Sequence, residues 1–176
     1  MTKSEIREEI LRRKQQYSRQ QRDELSSPIM DKLLAHPRIA DAQTILMYYS
    51  LPDEVNTHQT VDQLLGMGKR VLLPVVVDAE NLEIRCYESN NDLREGAFHI
   101  MEPIGRPFTD FASLEIGVIP GMGFDAQGHR LGRGKGYYDR LLAQLPHMYK
   151  LGVCFDFQKV EQIPVTQFDI TMDEIL

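Results

Sequence analysis

Two stretches decide how this chain folds: Thr44-Ile45-Leu46-Met47-Tyr48-Tyr49 and, further along, Arg70-Val71-Leu72-Leu73-Pro74-Val75. Each is a short, nearly unbroken apolar run of strand length, the pattern of a strand covered on both faces rather than on one. Between them, Ser50-Leu51-Pro52-Asp53-Glu54 reads as a loop. Asn56 can then cap a helix with Gln59 in the reciprocal position, Val61, Leu64 and Leu65 supply its apolar face, and Gly66-Met67-Gly68 ends it. Strand, short helix and strand at this spacing make a βαβ unit, which requires parallel strands joined by a right-handed crossover.

Working outward, Leu82 to Tyr87 reads as an additional strand, and Leu114 to Ile119 as another buried one that stops at Pro120-Gly121. A helix from about Lys135 to Leu145 and a strand from Tyr149 to Phe155 form a second βαβ unit. Toward the N-terminus, Thr2 and Glu5 have capping-box spacing ahead of Ile6, Ile10 and Leu11, so a helix is predicted from about residue 3. Ser18 and Gln21 repeat the signal ahead of Leu25, Ile29, Leu33 and Leu34, and His36-Pro37 should end that second helix. The expected architecture is α/β: a three-layer open, mostly parallel, Rossmann-like sheet with helices on both faces and an N-terminal helical pair. No linker or internal repeat interrupts it, so residues 1–176 are expected to form a single domain.

The chain has 176 residues, 42% of them apolar, enough for a core without disulfide or metal support. Cys86 and Cys154 lack metal-ligand spacing and sit in apolar stretches, as reduced core residues do. The first residues lead into a charged helix rather than an apolar leader, and no apolar run spans a bilayer, so a cytoplasmic protein without membrane contact is expected. A net charge of −6 argues against nucleic acid as a partner. Yet Lys3, Arg7, Arg12, Arg13 and Lys14 lie together early, and Arg130, Arg133, Lys135 and Arg140 late, so a local pocket for a small anion is compatible with the acidic whole.

The segment with the most chemical content runs from Pro120 through Arg130-Leu131-Gly132-Arg133-Gly134-Lys135-Gly136-Tyr137-Tyr138-Asp139. It leaves a predicted strand and opens a predicted helix, where open α/β sheets bind ligands. Alternating glycines and cations allow backbone N–H groups and side chains to converge on an anion, which suits a polyphosphate. Neither the Walker A spacing nor the dinucleotide fingerprint is present. Taken alone, the loop is equally compatible with a tight turn that displays cations to solvent.

The run Pro120 to Asp139 resembles the signature of the 5-formyltetrahydrofolate cyclo-ligase family, also called methenyltetrahydrofolate synthetases. Lys3-Ser4-Glu5-Ile6-Arg7 is similar to that family's N-terminal Lys-x3-Arg, Tyr49 to Thr57 to its substrate loop around a Glu, and Gly96 to Pro103 to its Gly-x-Phe…Glu-Pro stretch. With Phe155-x2-Gln158…Pro164…Asp169, the resemblance extends over essentially the whole chain.

The resemblance implies ATP-dependent conversion of 5-formyltetrahydrofolate to 5,10-methenyltetrahydrofolate, with ATP as co-substrate, Mg2+ as cofactor, and a monomeric protein. It implies that Lys3 and Arg7 meet ATP phosphates and that Arg130, Leu131, Gly132, Arg133, Gly134, Lys135, Gly136, Tyr137 and Tyr138 form the nucleotide loop. Arg133, Gly134, Lys135, Gly136 and Tyr137 would also border the folate, with Arg133, Lys135 and Tyr137 taking the catalytic roles. Tyr49 and Glu54 would bind the substrate, Glu54 by accepting the pterin's N–H groups. Asp139 and Asp169 are the candidate magnesium residues, since the hard ion takes oxygen ligands and retains waters. Asp139 also reads as a helix-dipole partner, because it falls in the first turn of the predicted helix.

Without the resemblance, the same loop also fits another α/β ATP-dependent small-molecule ligase or kinase, or a non-catalytic folate- or phosphate-binding module. His58, His99, His129 and His147 share no metal-ligand spacing. Tyr48 and Tyr49 read either as core or as a stacking platform for a pterin, and Met47, Met67, Met101 and Met122 either as core or as cavity lining.

Overall fold

A computed structural model describes residues 1–176, apart from the side chains of Asp92 and Phe98; Phe98, the aromatic position of the Gly96 to Pro103 stretch, therefore lies outside what is described. The central sheet contains β1 (Thr44–Leu46), β2 (Arg70–Val76), β3 (Leu82–Tyr87), β6 (Ile116–Ile119), β9 (Tyr149–Gly152) and β10 (Glu174–Ile175), in the order β10-β9-β6-β1-β2-β3. All neighbours are parallel except β3, which pairs antiparallel with β2 at one edge. Helix α4 (His58–Gly66) connects β1 to β2, and α5 (Tyr137–Ala143) connects β6 to β9, so both predicted βαβ units are present.

The side-chain alternation of the strands produces the three layers. Ile45, Val71, Leu73, Ile116, Val118 and Leu151 pack with Val61 and Leu64 of α4 and with Met30 and Leu33 of α2 (Arg19–Ala35). Leu46, Leu72, Ile84 and Ile119 point the other way, toward Leu141 and Leu142 of α5. Helices therefore cover both faces, and the apolar runs read as buried strands are buried on both sides. Pro74 is tolerated in β2 because β1 has already ended: its last paired residue, Leu46, lies opposite Leu72.

Helix α1 (Lys3–Lys14) has the predicted capping box of Thr2 and Glu5, and α2 that of Ser18 and Gln21. The two helices do not work as a pair against the sheet. Ile6 and Ile10 of α1 instead bury against Met122, Leu131 and Ile163, over the small hairpin of β7 (Gly123–Phe124) and β8 (Arg130–Leu131). Leu11, counted in the predicted face, is 43% exposed. In α2, Leu25 is likewise exposed while Ser26 is buried, because the Ser26 hydroxyl accepts the Asn56 N–H at 2.9 Å and thereby anchors the loop after β1.

Other departures are local. His36-Pro37 ends α2 but also starts α3 (Pro37–Asp41), since proline is accepted in a first turn. The cap of α4 is Thr57 rather than Asn56, whose side chain accepts the His58 N–H at 3.1 Å. Helix α5 starts at Tyr137 rather than Lys135, because Gly136 is left-handed at φ 70°. A second hairpin, β4 (Leu93–Glu95) with β5 (Met101–Pro103), follows β3. Cys86 and Cys154 are free thiols.

Candidate active site

The sheet order places a switch point between β1 and β6: the chain leaves β1 toward β2 on one side and β6 toward β9 on the other. The loops following these strands diverge and leave a crevice, the general ligand position in such sheets. Here it is a cavity of about 640 Å³. Its walls include Tyr49, Leu51 and Glu54 after β1, Pro74 and Val76 near the end of β2, and Pro120 to Met122 after β6.

The loop after β1 is closed at its base by reciprocal bonds: Ser50 N–H to Thr57 Oγ1 at 3.1 Å and Thr57 N–H to Ser50 Oγ at 2.9 Å. Within it, Glu54 N–H donates to the Leu51 carbonyl and Glu54 Oε1 accepts the Leu51 N–H at 2.8 Å, so the carboxylate is tied to its own turn. Burial raises the Glu54 carboxyl above its ordinary range, against the opposing effects of the Leu51 N–H and the Arg133 charge. Tyr49 stacks on His58 with ring centroids 3.8 Å apart, and its neighbour Tyr48 is buried.

The glycine-rich segment forms the opposite wall. Gly134 and Gly136 have φ of 105° and 70°, values a side chain would oppose, and they bend the backbone so that Arg133 and Lys135 flank the cavity. Arg7 reaches from α1 to donate through Nε to the Gly132 carbonyl at 2.8 Å. Gln158 fixes the start of the segment, its amide donating to the Gly121 and Met122 carbonyls at 2.9 and 3.0 Å. The far end is tied to the β2–β3 turn, where Tyr137 Oη donates to the Asp78 carbonyl at 3.2 Å and Arg140 Nε to that of Glu80.

Arg130 is the buried cation of this wall, 7% exposed. It donates to the Pro120 carbonyl at 3.1 Å, lies 3.7 Å from Asp139 and packs over the Tyr138 ring, while its Nε is buried without a hydrogen-bond partner. Burial lowers the guanidinium below its usual value, opposed chiefly by Asp139. Burial also raises the Tyr138 hydroxyl, with Glu54 adding to the effect. A buried guanidinium bordering the cavity makes this wall electropositive.

Every residue to which the resemblance assigns a site role lines this cavity except Leu131, whose side chain is buried with Ile6 and Ile10 beneath α1. Met101 and Met122 also line it, whereas Met47 is core and Met67 is exposed. Sequence reasoning gave Leu82 no part in the site, and left Leu51, Ile100 and Glu102, although they lie within the two stretches that carry the resemblance, without a role, since nothing local marks them as facing a cavity. It also missed Asp53, which accepts from Lys14 at 2.8 Å and from Arg133 at 3.1 Å.

Asp139 and Asp169 both border the cavity. Asp139 Oδ1 accepts the Ile170 N–H at 3.2 Å, and Asp169 Oδ2 accepts Lys3 Nζ at 2.6 Å and the Thr166 N–H at 2.7 Å. Burial raises the Asp169 carboxyl, but Lys3 and Thr166 outweigh it and hold it below its ordinary range. Among the described residues no cluster of three or more His, Cys, Asp or Glu is placed to hold a metal. Two carboxylates, each engaged through one oxygen, still fit Mg2+, which is commonly held by one or two carboxylates with substrate phosphates and water.

Fold and crevice together define a doubly wound α/β protein with its ligand cavity at the switch point and a cationic glycine loop on one wall. The chain belongs to the 5-formyltetrahydrofolate cyclo-ligase family, whose profile matches residues 1–176. It is 31% identical to the 5-formyltetrahydrofolate cyclo-ligase of Escherichia coli over 95% of both chains, and 28% identical to that of Mus musculus over 97% of this chain and 91% of the other. Its fold matches the NMR structure of Aquifex aeolicus 5,10-methenyltetrahydrofolate synthetase with a TM-score of 0.86 and 33% identity, covering 99% of this chain and 89% of that one. The Mycoplasma pneumoniae 5,10-methenyltetrahydrofolate synthetase matches with a TM-score of 0.80 and 27% identity, covering 99% and 98%. No helix among the described residues is long and apolar enough to cross a membrane.

Proposed function

We propose that this chain, acting as one catalytic domain, uses ATP to convert 5-formyltetrahydrofolate into 5,10-methenyltetrahydrofolate, releasing ADP and phosphate. The observation that carries the reading is a single cavity joining an apolar wall with a tethered carboxylate, Glu54, to a wall of glycine backbone and cations. The first wall suits a pterin whose N–H groups need an acceptor, and the second suits a polyphosphate.

A formamide oxygen is a poor nucleophile and a poor leaving group. Transfer of the γ-phosphoryl group to that oxygen gives an imino-phosphate, the neighbouring folate nitrogen attacks the activated carbon, and phosphate departs with the oxygen. Such a transfer needs alignment and charge neutralisation more than covalent help. Arg130, buried and bordering the cavity, adds a fixed positive charge behind the glycine-rich loop. Arg133 and Lys135 add charge at the rim, Lys3 and Arg7 brace the nucleotide from α1, and Tyr49 and Tyr137 border the folate. Asp139 and Asp169 are the residues that would hold Mg2+, which when bound neutralises phosphate charge.

The test is an absorbance assay for methenyltetrahydrofolate with 5-formyltetrahydrofolate and ATP, with and without Mg2+. Product that requires nucleotide and metal is expected. Folded protein that makes no product but binds ATP would point to another small-molecule ligase or kinase, and folate binding without ADP release to a binding module.

A further inference from the structure

Lys14 is an unusual residue to find buried: at the C-terminal end of α1 the residue is 6% exposed and its ammonium donates to Asp53 Oδ2 at 2.8 Å. Asp53 also accepts from Arg133 Nη2, at 3.1 Å to Oδ1 and 3.3 Å to Oδ2. One carboxylate thus ties together three segments far apart in the chain: α1, the loop after β1 and the glycine-rich loop. The residue after it, Glu54, lines the cavity from the same turn.

The arrangement has the order of a brace. Lys14 is held by burial and so fixes Asp53, while Arg133, with 47% of its side chain exposed, is the member open to the cavity. An unbraced arginine at a cavity rim loses rotamer freedom when it settles on a ligand. With Nη2 committed to Asp53, the guanidinium keeps Nε and Nη1 for an anion and has its orientation set in advance. Burial would raise the Asp53 carboxyl, but the Lys14 hydrogen bond and the Arg133 charge outweigh it and hold the group ionised.

We infer that Asp53 is a positioning residue: it holds the Arg133 guanidinium toward the cavity and locks the glycine-rich loop to the turn that carries Glu54. The inference rests on the proposed use of Arg133 on phosphate, and it deepens that reading by naming what aims the arginine.

Asp53→Asn alone would leave Lys14 buried and unpaired, which can unfold the protein. The experiment is therefore a double-mutant cycle with Lys14 kept, each variant checked for folding by urea unfolding, and repeated in a Lys14→Met background only for a variant that fails that check: parent, Asp53→Asn, Arg133→Ala, and both together. Turnover is measured by the absorbance assay and, in parallel, ATP affinity by calorimetry, which does not depend on the folate. With Arg133 present, Asp53→Asn is expected to lower kcat about ten- to a hundredfold, as a misplaced group near 1 Å does. With Arg133→Ala, the same change is expected to cost less than about twofold, because there is nothing left to aim. A purely structural Asp53 would lower turnover by the same factor in both backgrounds, and that result overturns the inference, as does full turnover of Asp53→Asn with Arg133 intact. If Arg133→Ala is itself silent in both readouts, the proposed role of Arg133 falls as well, and the two failures are told apart by that single variant.

Discussion

The two walls of the cavity reach the same space by different means. The apolar wall consists of strand ends and the turn after β1: Tyr49, Leu51, Pro74 and Val76 face the cavity because their strands run out there. On that turn, the Glu54 carboxylate is held by the Leu51 N–H three residues away. The cationic wall has no such local logic. Arg7 reaches Gly132, Lys3 reaches Asp169, and Gln158 reaches Gly121, so its shape depends on contacts between opposite ends of the chain. The contrast teaches that the turn carrying Glu54 is closed mainly by short-range bonds and the cationic wall by long-range ones, so damage to each should show differently.

The sharpest break of that comparison is Arg130→Met. Removing this buried cation leaves Asp139 and the Pro120 carbonyl without it and should lower the melting temperature, and loss of a fixed positive charge beside the cavity should lower kcat of the folded protein about 10²–10³-fold. Normal turnover with an unchanged melting temperature would remove Arg130 from the reaction. Next in size is Lys135→Ala at the exposed rim: a charged contact worth about 1.5–3 kcal/mol predicts a raised KM for ATP and slower turnover with the fold intact. Steady-state kinetics with ATP varied would reveal it, and unaltered constants would place Lys135 outside the site.

On the other wall, Glu54→Ala should raise the KM for 5-formyltetrahydrofolate more than that for ATP, and equal losses would contradict a division between walls. Burial raises the Glu54 carboxyl, so folate binding should fail as pH drops through a value above the ordinary carboxylate range. The sign for stability is opposite. The folded state favours protonated Glu54, so the ionised group costs stability as pH rises, and Glu54→Gln should be neutral or stabilising at pH 7 in urea unfolding. The smallest effect expected is from Gly136→Ala: a left-handed residue with a side chain costs about 1–2 kcal/mol, read as a shift in the urea midpoint.

Much of this was legible in the sequence because it depends on periodicity and punctuation. The runs Thr44 to Tyr49 and Arg70 to Val75 each hold a buried strand, although β1 stops at Leu46 and leaves Met47 to Tyr49 to lead into the cavity loop, and Thr2-Glu5 and Ser18-Gln21 start helices, since the capping pattern is local. Boundaries were less legible where a tertiary partner intervenes. Ser26 displaced Leu25 from the buried face of α2 because the Asn56 N–H required an acceptor, and Leu11 stayed outside because α1 covers a narrow hairpin rather than a sheet.

By itself, the sequence determined the α/β class, the two βαβ units and a glycine-rich cationic loop at a strand-to-helix junction, because each follows from residue types a few positions apart. Only the tertiary structure decided that Arg130 is buried with an unmet donor, that Lys14 is neutralised by Asp53, and that Asp53 holds Arg133 across the site. These facts depend on segments separated by up to most of the chain length, and the desolvation and pairing of a charge are set by what surrounds it in space rather than by its neighbours in sequence.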